Sequence, residues 1–276
     1  MKTTLKSALV GTLLGVQSGA AEMSVDEPAS TNATKDCVVL LHGLGRTGLS
    51  MKPVERSLVR RGYSVVNLTY PALWVPLERL ADEHLHEALA SRVPPDTGRI
   101  HFVTHSMGGI LVRQYLASHR VANLGRVVMI GPPNQGSEKA DLFKSCALGR
   151  WLTGPNLSRL GTGPDDLPQT MGAVGFEAGV IAGDRPWLGP IWKRTTPGDG
   201  IVAVESTKVA GMKDFTIVHG SHTLLMNQRE TLEQMGEFIQ HGRFRHHDNE
   251  LRRTVANPQP WPGRRARLDL PARHAR

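Results

Sequence analysis

The sequence predicts an α/β fold, with one mainly parallel sheet of about six strands and helices on both faces. Short, continuous apolar runs recur along the chain, the first being Cys37–Leu41, and such runs are typical of strands that are covered on both sides. Between them lie longer segments in which apolar residues repeat every three or four positions, as in amphipathic helices. Strands that alternate with helices in this way predict parallel neighbours joined by right-handed crossovers.

The elements follow in order from Cys37 to Gln240. The predicted strands are Cys37–Leu41, Tyr63–Leu68, Ile100–Val103, Val127–Ile130, Val180–Ala182 and Phe215–Val218. The predicted helices are Met51–Arg61, Leu77–Ala90, one that begins at Gly109, and a closing one marked by Leu225, Leu232, Met235 and Ile239. Because parallel strands point the same way, the loops that follow them share one edge of the sheet, and ligands bind there.

Composition fits one folded domain with tails. The chain has 276 residues, 39% of them hydrophobic, and a formal net charge of +8. From Gly242 onward it carries nine arginines and three acidic residues, so six of those eight charges lie in the tail. The nearly neutral body gives no support for a nucleic-acid partner. We therefore predict a folded, monomeric domain over residues 37–242 and a basic, disordered tail over residues 243–276.

The N-terminus is typical of an export signal. Lys2 and Lys6 precede a short apolar run, and small residues suited to cleavage follow near Ala20 and Ala21. We expect a signal peptide over residues 1–21, a polar linker over residues 22–36, and a secreted or periplasmic protein; a cytoplasmic protein with an ordinary N-terminus is the alternative. The apolar run is too short for a stable membrane span.

Cysteine usage indicates no metal or redox chemistry. Cys37 and Cys146 allow one disulfide at most, and Cys37 opens a buried strand, which favours two unpaired thiols. No cysteine and histidine cluster has metal-ligand spacing, so the sequence predicts neither a metal site nor a cofactor.

The segment Arg99–Arg113 carries the most informative signal. The strand Ile100–Val103 stops at Thr-His-Ser-Met-Gly, and a helical period begins at Gly109. A serine at the centre of such a strand-to-helix corner is typical of a nucleophile elbow, in which small neighbours permit a strained turn. Thr104 departs from the usual first glycine of this motif. The alternative is that Ser106 only caps the helix.

Four motifs on the ligand-binding edge together resemble the α/β-hydrolase superfamily. They are H-G-L-G-R after the first strand, T-H-S-M-G-G after the third, D-G-I-V after the fifth and S-H-T after the sixth. Within the superfamily they resemble esterases and lipases with an H-G-L-G oxyanion loop. The resemblance covers Cys37 to Gln240. The family usually has two further strands before the H-G strand, so this chain is similar to the smallest lipases.

The resemblance implies a serine hydrolase that cleaves small-molecule or lipidic carboxylic esters. A serine needs a base, for which His222 is the candidate and His219 the runner-up. The base needs a carboxylate, for which Asp199 is the candidate and Asp184 the alternative. Either acid keeps the chain order Ser, Asp, His of this fold.

The oxyanion of an acyl-transfer intermediate needs preorganised N–H donors. The backbone N–H groups of Met107 and Leu44 are the candidates. Acyl transfer, or hydrolysis of a thioester or an amide, is an alternative reaction for the same three residues. A catalytically silent binding protein is a further alternative, although a silent copy has no reason to keep all three residues. A segment from Leu142 to Gly175, rich in Gly and Pro, is either an apolar lid or a packed excursion.

Overall fold

The sheet has six parallel strands in the order β2-β1-β3-β4-β5-β6. The structure, a computed structural model, describes residues 34–144, 154–186 and 197–246. The strands are β1 (Cys37–Leu41), β2 (Ser64–Leu68), β3 (Ile100–His105), β4 (Leu124–Ile130), β5 (Ala178–Gly183) and β6 (Asp214–Val218). All five pairings are parallel, as the sequence predicted.

Helices connect and cover these strands. They are α1 (Lys52–Arg60), α2 (Leu77–Arg79), α3 (His86–Arg92), α4 (Met107–Ser118), α5 (Glu138–Lys144), α6 (Leu167–Thr170), α7 (Val204–Thr207) and α8 (Arg229–His241). A π-helical turn, Leu80–Leu85, joins α2 to α3. The uninterrupted helix predicted over Leu77–Ala90 is therefore three segments. Its buried apolar residues, Leu77, Leu80, Ala81 and Leu85, lie in the first two of them.

Two apolar layers hold the helices on opposite faces of the sheet. Alternate strand residues such as Val39 and Phe102 pack against the helices between β2 and β4, while the intervening ones such as Val38 and Val103 pack against α1 and α8. Strand side chains point to the two faces in turn, so β1, with all five residues buried, supplies both layers. This double burial explains the continuous apolar runs of the sequence.

Several strands are longer than their apolar runs. Strand β3 continues through Thr104 and His105, both almost fully buried. The prediction ended this strand at Val103 because polar residues usually mark a strand's end. Here the two polar side chains are enclosed, and β3 carries the chain up to Ser106.

The folded part extends beyond both predicted boundaries. On the N-terminal side, Asp36 of the predicted linker accepts a hydrogen bond from the Arg99 amide at 2.8 Å. On the C-terminal side, Gly242 ends α8 in a left-handed conformation. Phe244 then returns to the body, where it is 3% exposed, and its amide donates to Asp214 Oδ2 at 2.7 Å. The packing thus continues to His246, beyond the predicted end at Gly242.

The rest of the predicted tail and the predicted signal peptide lie outside the described residues. Within the described ranges, no helix is both long enough and apolar enough to cross a membrane. Cys37 is a buried free thiol whose pKa is raised by desolvation, whereas Cys146 lies outside those ranges.

Candidate active site

Ser106 occupies a strained turn between β3 and α4. Its backbone has φ 53° and ψ −123°, and it is the only non-glycine residue with positive φ among the described residues. Such conformations cost about 1–3 kcal/mol and persist where the surroundings enforce them. Here the Ser106 amide donates to the Ile130 carbonyl, and the Ser106 carbonyl accepts from the Gly109 amide, each at 2.9 Å.

The small residues of the motif let this turn fit between two strands. A Cβ atom on Gly108 would lie 2.5 Å from the Leu41 carbonyl oxygen, and one on Gly109 would lie 2.9 Å from Pro132. No side chain fits either place. Thr104 stands where the motif usually has its first glycine. Its side chain is fully buried, and its hydroxyl donates to the Val128 carbonyl at 3.4 Å.

The structure brings Ser106, His222 and Asp199 together. Ser106 Oγ and His222 Nε2 are 2.9 Å apart, and His222 Nδ1 and Asp199 Oδ2 are 2.7 Å apart. The carboxylate only accepts hydrogen bonds, so it fixes the histidine proton on Nδ1. Nε2 is then free to accept the hydrogen bond that the serine hydroxyl donates.

Backbone donors hold Asp199 in place. Its Oδ1 accepts from the amides of Ile201 at 2.9 Å and Val202 at 2.8 Å. The Asp199 carbonyl also accepts from the His222 amide at 3.0 Å. Asp199 is 1% exposed, and the two amides on Oδ1 together with His222 Nδ1 on Oδ2 compensate for the burial of its carboxylate. The acid and the histidine are therefore joined through both side chain and backbone.

The two alternative residues pair with each other instead. His219 Nδ1 lies 2.6 Å from Asp184 Oδ2, and the His219 side chain is 68% exposed. Neither is joined to Ser106 by a hydrogen bond. The structure thus contains two histidine–aspartate pairs on this edge of the sheet, and only the buried pair reaches the serine.

The predicted oxyanion loop lies directly against the elbow. A Cβ on Gly43 would be 3.0 Å from Ser106 Cβ, so the glycine allows Leu44 and Ser106 to line the same cavity. Met107 is the first residue of α4, and its N–H therefore has no acceptor within the helix. Both predicted donors thus belong to segments that border the serine.

A buried aromatic pair supports this loop. The His42 ring stacks on Tyr70 with centroids 4.0 Å apart, and the Tyr70 hydroxyl donates to the His42 carbonyl. His42 Nδ1 donates to the Gly43 carbonyl at 2.8 Å, and burial lowers the pKa of His42. His42 opens the H-G-L-G-R motif, but nothing in the sequence indicated its partner Tyr70.

His105, the residue before Ser106, also contacts the segment that carries His222. Its Nε2 donates to the His222 carbonyl at 2.9 Å, and the two rings lie 4.9 Å apart. Burial, and secondarily the nearby His222, lower the pKa of His105 well below its usual value. His105 is thus a neutral support for the segment that carries His222.

A sequence profile of the alpha/beta hydrolase family matches residues 38–265. The chain belongs to the alpha/beta hydrolase family. No curated protein sequence matches it significantly.

Solved structures share the hydrolase's fold at low identity. The mature form of lipase BlEst2 from Bacillus licheniformis has 17% identity and a TM-score of 0.57, over 76% of this chain and 92% of that one. The metagenomic carboxyl esterase MGS0156 has 20% identity and a TM-score of 0.61, over 75% and 76%. Phospholipase PlaB from Legionella pneumophila has 19% identity and a TM-score of 0.55, over 71% of this chain and only 56% of that one.

A cavity of about 280 Å³ opens beside Ser106 in this hydrolase. Its large apolar lining residues among those described are Leu44, Phe143, Leu157, Leu160, Ile201 and Val202. Three of these lie in the segment predicted as a lid or a packed excursion, whose residues 145–153 are outside the described ranges. Arg46 and Lys139 are the basic residues of the wall. In the described ranges, no group of three or more His, Cys, Asp or Glu side chains could hold a metal ion.

Proposed function

We propose that this hydrolase cleaves carboxylic esters through an acyl-enzyme intermediate on Ser106. The observation that carries the proposal is the continuous hydrogen-bonded series from Ser106 through His222 to Asp199, at 2.9 and 2.7 Å. It begins on a strained serine and ends on a buried carboxylate. This arrangement is the one that serine nucleophiles require.

Each residue has a defined part in the proposed reaction. Ser106 Oγ attacks the ester carbonyl while His222 Nε2 takes its proton, and Asp199 stabilises the imidazolium that forms. The N–H groups of Leu44 and Met107 stabilise the oxyanion. His222 then gives the proton to the departing alcohol. In the second half of the reaction, water attacks the acyl-enzyme while His222 takes a proton from it. His222 then returns this proton to Ser106 Oγ as the acid leaves.

The apolar cavity wall favours an ester with an apolar acyl group, because burying each methylene contributes about 0.8 kcal/mol. The structural relatives named as a lipase and a carboxyl esterase are consistent with this class. A p-nitrophenyl ester series from acetate to palmitate, with a matched thioester and a matched amide, measures chain length and separates ester hydrolysis from the alternatives.

Covalent labelling tests the nucleophile. A fluorophosphonate probe should label the wild-type protein and not the Ser106→Ala variant. Ser137→Ala is a matched control, because Ser137 lines the same cavity but its hydroxyl donates to the Ile201 carbonyl at 2.7 Å. This control should be labelled like the wild type. Unchanged labelling of Ser106→Ala, or an unlabelled wild type, would refute the assignment.

We also propose that the hydrolase is exported, on the basis of the basic and apolar N-terminal segment over residues 1–21. N-terminal sequencing of the protein expressed in a host that exports such signals should find cleavage near Ala20 or Ala21. A protein retained in the cytoplasm with its first 21 residues intact would contradict export.

A further inference from the structure

Arg46 spans the cavity from the oxyanion loop to the segment that carries His222. It directly follows the H-G-L-G motif, and its Nη2 donates to the Thr223 carbonyl at 3.5 Å. That carbonyl belongs to the residue next to His222. Arg46 lines the same cavity as Ser106 and His222, so its guanidinium lies on the side of the cavity closest to the proposed base.

No carboxylate of the described residues neutralises Arg46. Several other arginines of the body are paired in this way at 2.6–2.8 Å, for example Arg79 with Glu83, Arg126 with Glu177 and Arg159 with Glu78. For Arg46, the described residues provide no carboxylate within 4.0 Å, only the long bond to Thr223. A guanidinium has five N–H donors, and one of those of Arg46 has an acceptor among the described residues, which leaves the others available to a ligand in the cavity that Arg46 lines.

Arg46 places a positive charge in the cavity wall, and the described part of the wall includes no aspartate or glutamate. Asp199 is enclosed behind His222 and bound by three donors. A substrate anion would therefore meet positive charge and no nearby repulsive carboxylate on this wall.

The proposed mechanism places the substrate's alcohol portion near Arg46. His222 gives its proton to the departing alkoxide oxygen, so the alcohol portion must lie next to His222 in the transition state. Arg46 is bound to the residue after His222. An anionic group a few bonds from the ester oxygen, on the alcohol side, would therefore reach the guanidinium.

We propose that the preferred substrates are esters whose alcohol portion carries an anion, either a carboxylate or a phosphate, and that Arg46 binds this anion. The inference rests on the proposed function and narrows its substrate class. Carboxylate and phosphate each present two anionic oxygens that can accept two parallel hydrogen bonds from a guanidinium. The acyl chain of such a substrate would pack against the apolar residues that line the same cavity.

Three matched esters test the proposal. They are a glycerol monoester, its 3-phosphate and the corresponding glycerate monoester, all with the acyl chain that the p-nitrophenyl series favours. Release of the free acid, measured by chromatography, gives kcat/KM for each. We expect the wild-type protein to favour at least one anionic ester over the neutral one by about tenfold or more, the size of one charged hydrogen bond. The phosphate and glycerate arms show which anion is bound.

Arg46 variants connect the preference to the residue. Arg46→Gln should lower the ratio of anionic to neutral kcat/KM by about tenfold, whereas Arg46→Lys, which keeps the charge, should retain part of it. Using the ratio removes any general effect of the lost Thr223 contact. The control is Arg60→Gln, which makes the same change of net charge at an exposed site at the end of α1 and should leave the ratio unaltered.

Two outcomes would overturn the inference. One is a wild-type protein that hydrolyses the neutral ester at least as well as both anionic ones; the other is an anionic preference that survives in Arg46→Gln. In either case, ester hydrolysis and labelling of Ser106 would leave the proposed function standing. Failure of the proposed function is recognised separately, by absent labelling and no hydrolysis of any ester.

Discussion

Replacing Asp199 with asparagine tests the proposed acid more sharply than deleting it. The carboxylate accepts from two backbone amides on Oδ1 and from His222 Nδ1 on Oδ2. Asparagine keeps the shape but has only one accepting oxygen. That oxygen is needed by the amides of Ile201 and Val202, so the NH2 group must face His222 and the histidine proton must move to Nε2. The base would then have no free lone pair for Ser106.

The size of the effect follows from this tautomer change. Loss of the base and of the imidazolium's counter-charge should lower kcat by about 10⁴-fold, as in another serine hydrolase triad, which corresponds to about 5.4 kcal/mol of transition-state stabilisation. Asp184→Asn is the matched control, because that carboxylate pairs with the exposed His219. An exposed pair contributes at most about 1 kcal/mol to stability, and this one does not touch Ser106.

The assay is kcat for the best p-nitrophenyl ester at neutral pH, with melting temperatures measured to ensure that both variants are folded. We expect Asp199→Asn to be almost inactive but folded, and Asp184→Asn to be within about threefold of the wild type. A mild effect at Asp199 combined with a severe one at Asp184 would transfer the role to the exposed pair and refute the reasoning.

Two further predictions concern stability. Ending the chain after Gly242 removes the buried Phe244 and should lower the free energy of unfolding by about 3 kcal/mol, or the Tm by roughly 6–12 °C. Ending it after His246 should have little effect. Equal Tm values for the two truncations would contradict this prediction. His105 stays neutral in the fold because burial holds its pKa well below the usual 6.5. Below about pH 6.5, His105 therefore takes up a proton in the unfolded chain only. The free energy of unfolding should then fall by up to ~1.4 kcal/mol per pH unit as the pH drops. In His105→Gln this contribution should be absent from urea unfolding series over that pH range, and an unaltered slope would count against it.

The features predicted well from the sequence are those encoded by neighbouring residues. Strands that are covered on both faces give continuous apolar runs. At the turn around Ser106, the spacing of apolar residues changes within a few positions from that of a strand to that of a helix. The order of Ser106, Asp199 and His222 along the chain could then be read directly from the motifs. Their spatial arrangement follows because parallel strands deliver all three loops to one edge of the sheet.

The features that the sequence did not reveal depend on contacts between distant residues. His105 donates to a carbonyl 117 positions away, and Arg46 to one 177 positions away. Both acceptors are backbone carbonyl groups, so no residue type in the sequence indicates where they are. Phe244 was placed in a tail because it lies among arginines without an apolar period, yet it packs on Phe238 with ring centroids 5.0 Å apart.

The position of β6 at one end of the strand order affects when the protein can be active. In the described sheet β6 is an edge strand that pairs with β5, and His222 lies in the loop that follows it. During synthesis, a chain that had folded only through β5 would lack His222, the proposed base. Likewise, a mature protein that loses only this edge through local opening keeps most of its core. Enzymatic turnover is therefore a sensitive reporter of the last strand's attachment, and it should disappear at lower temperature or denaturant concentration than the bulk of the secondary structure.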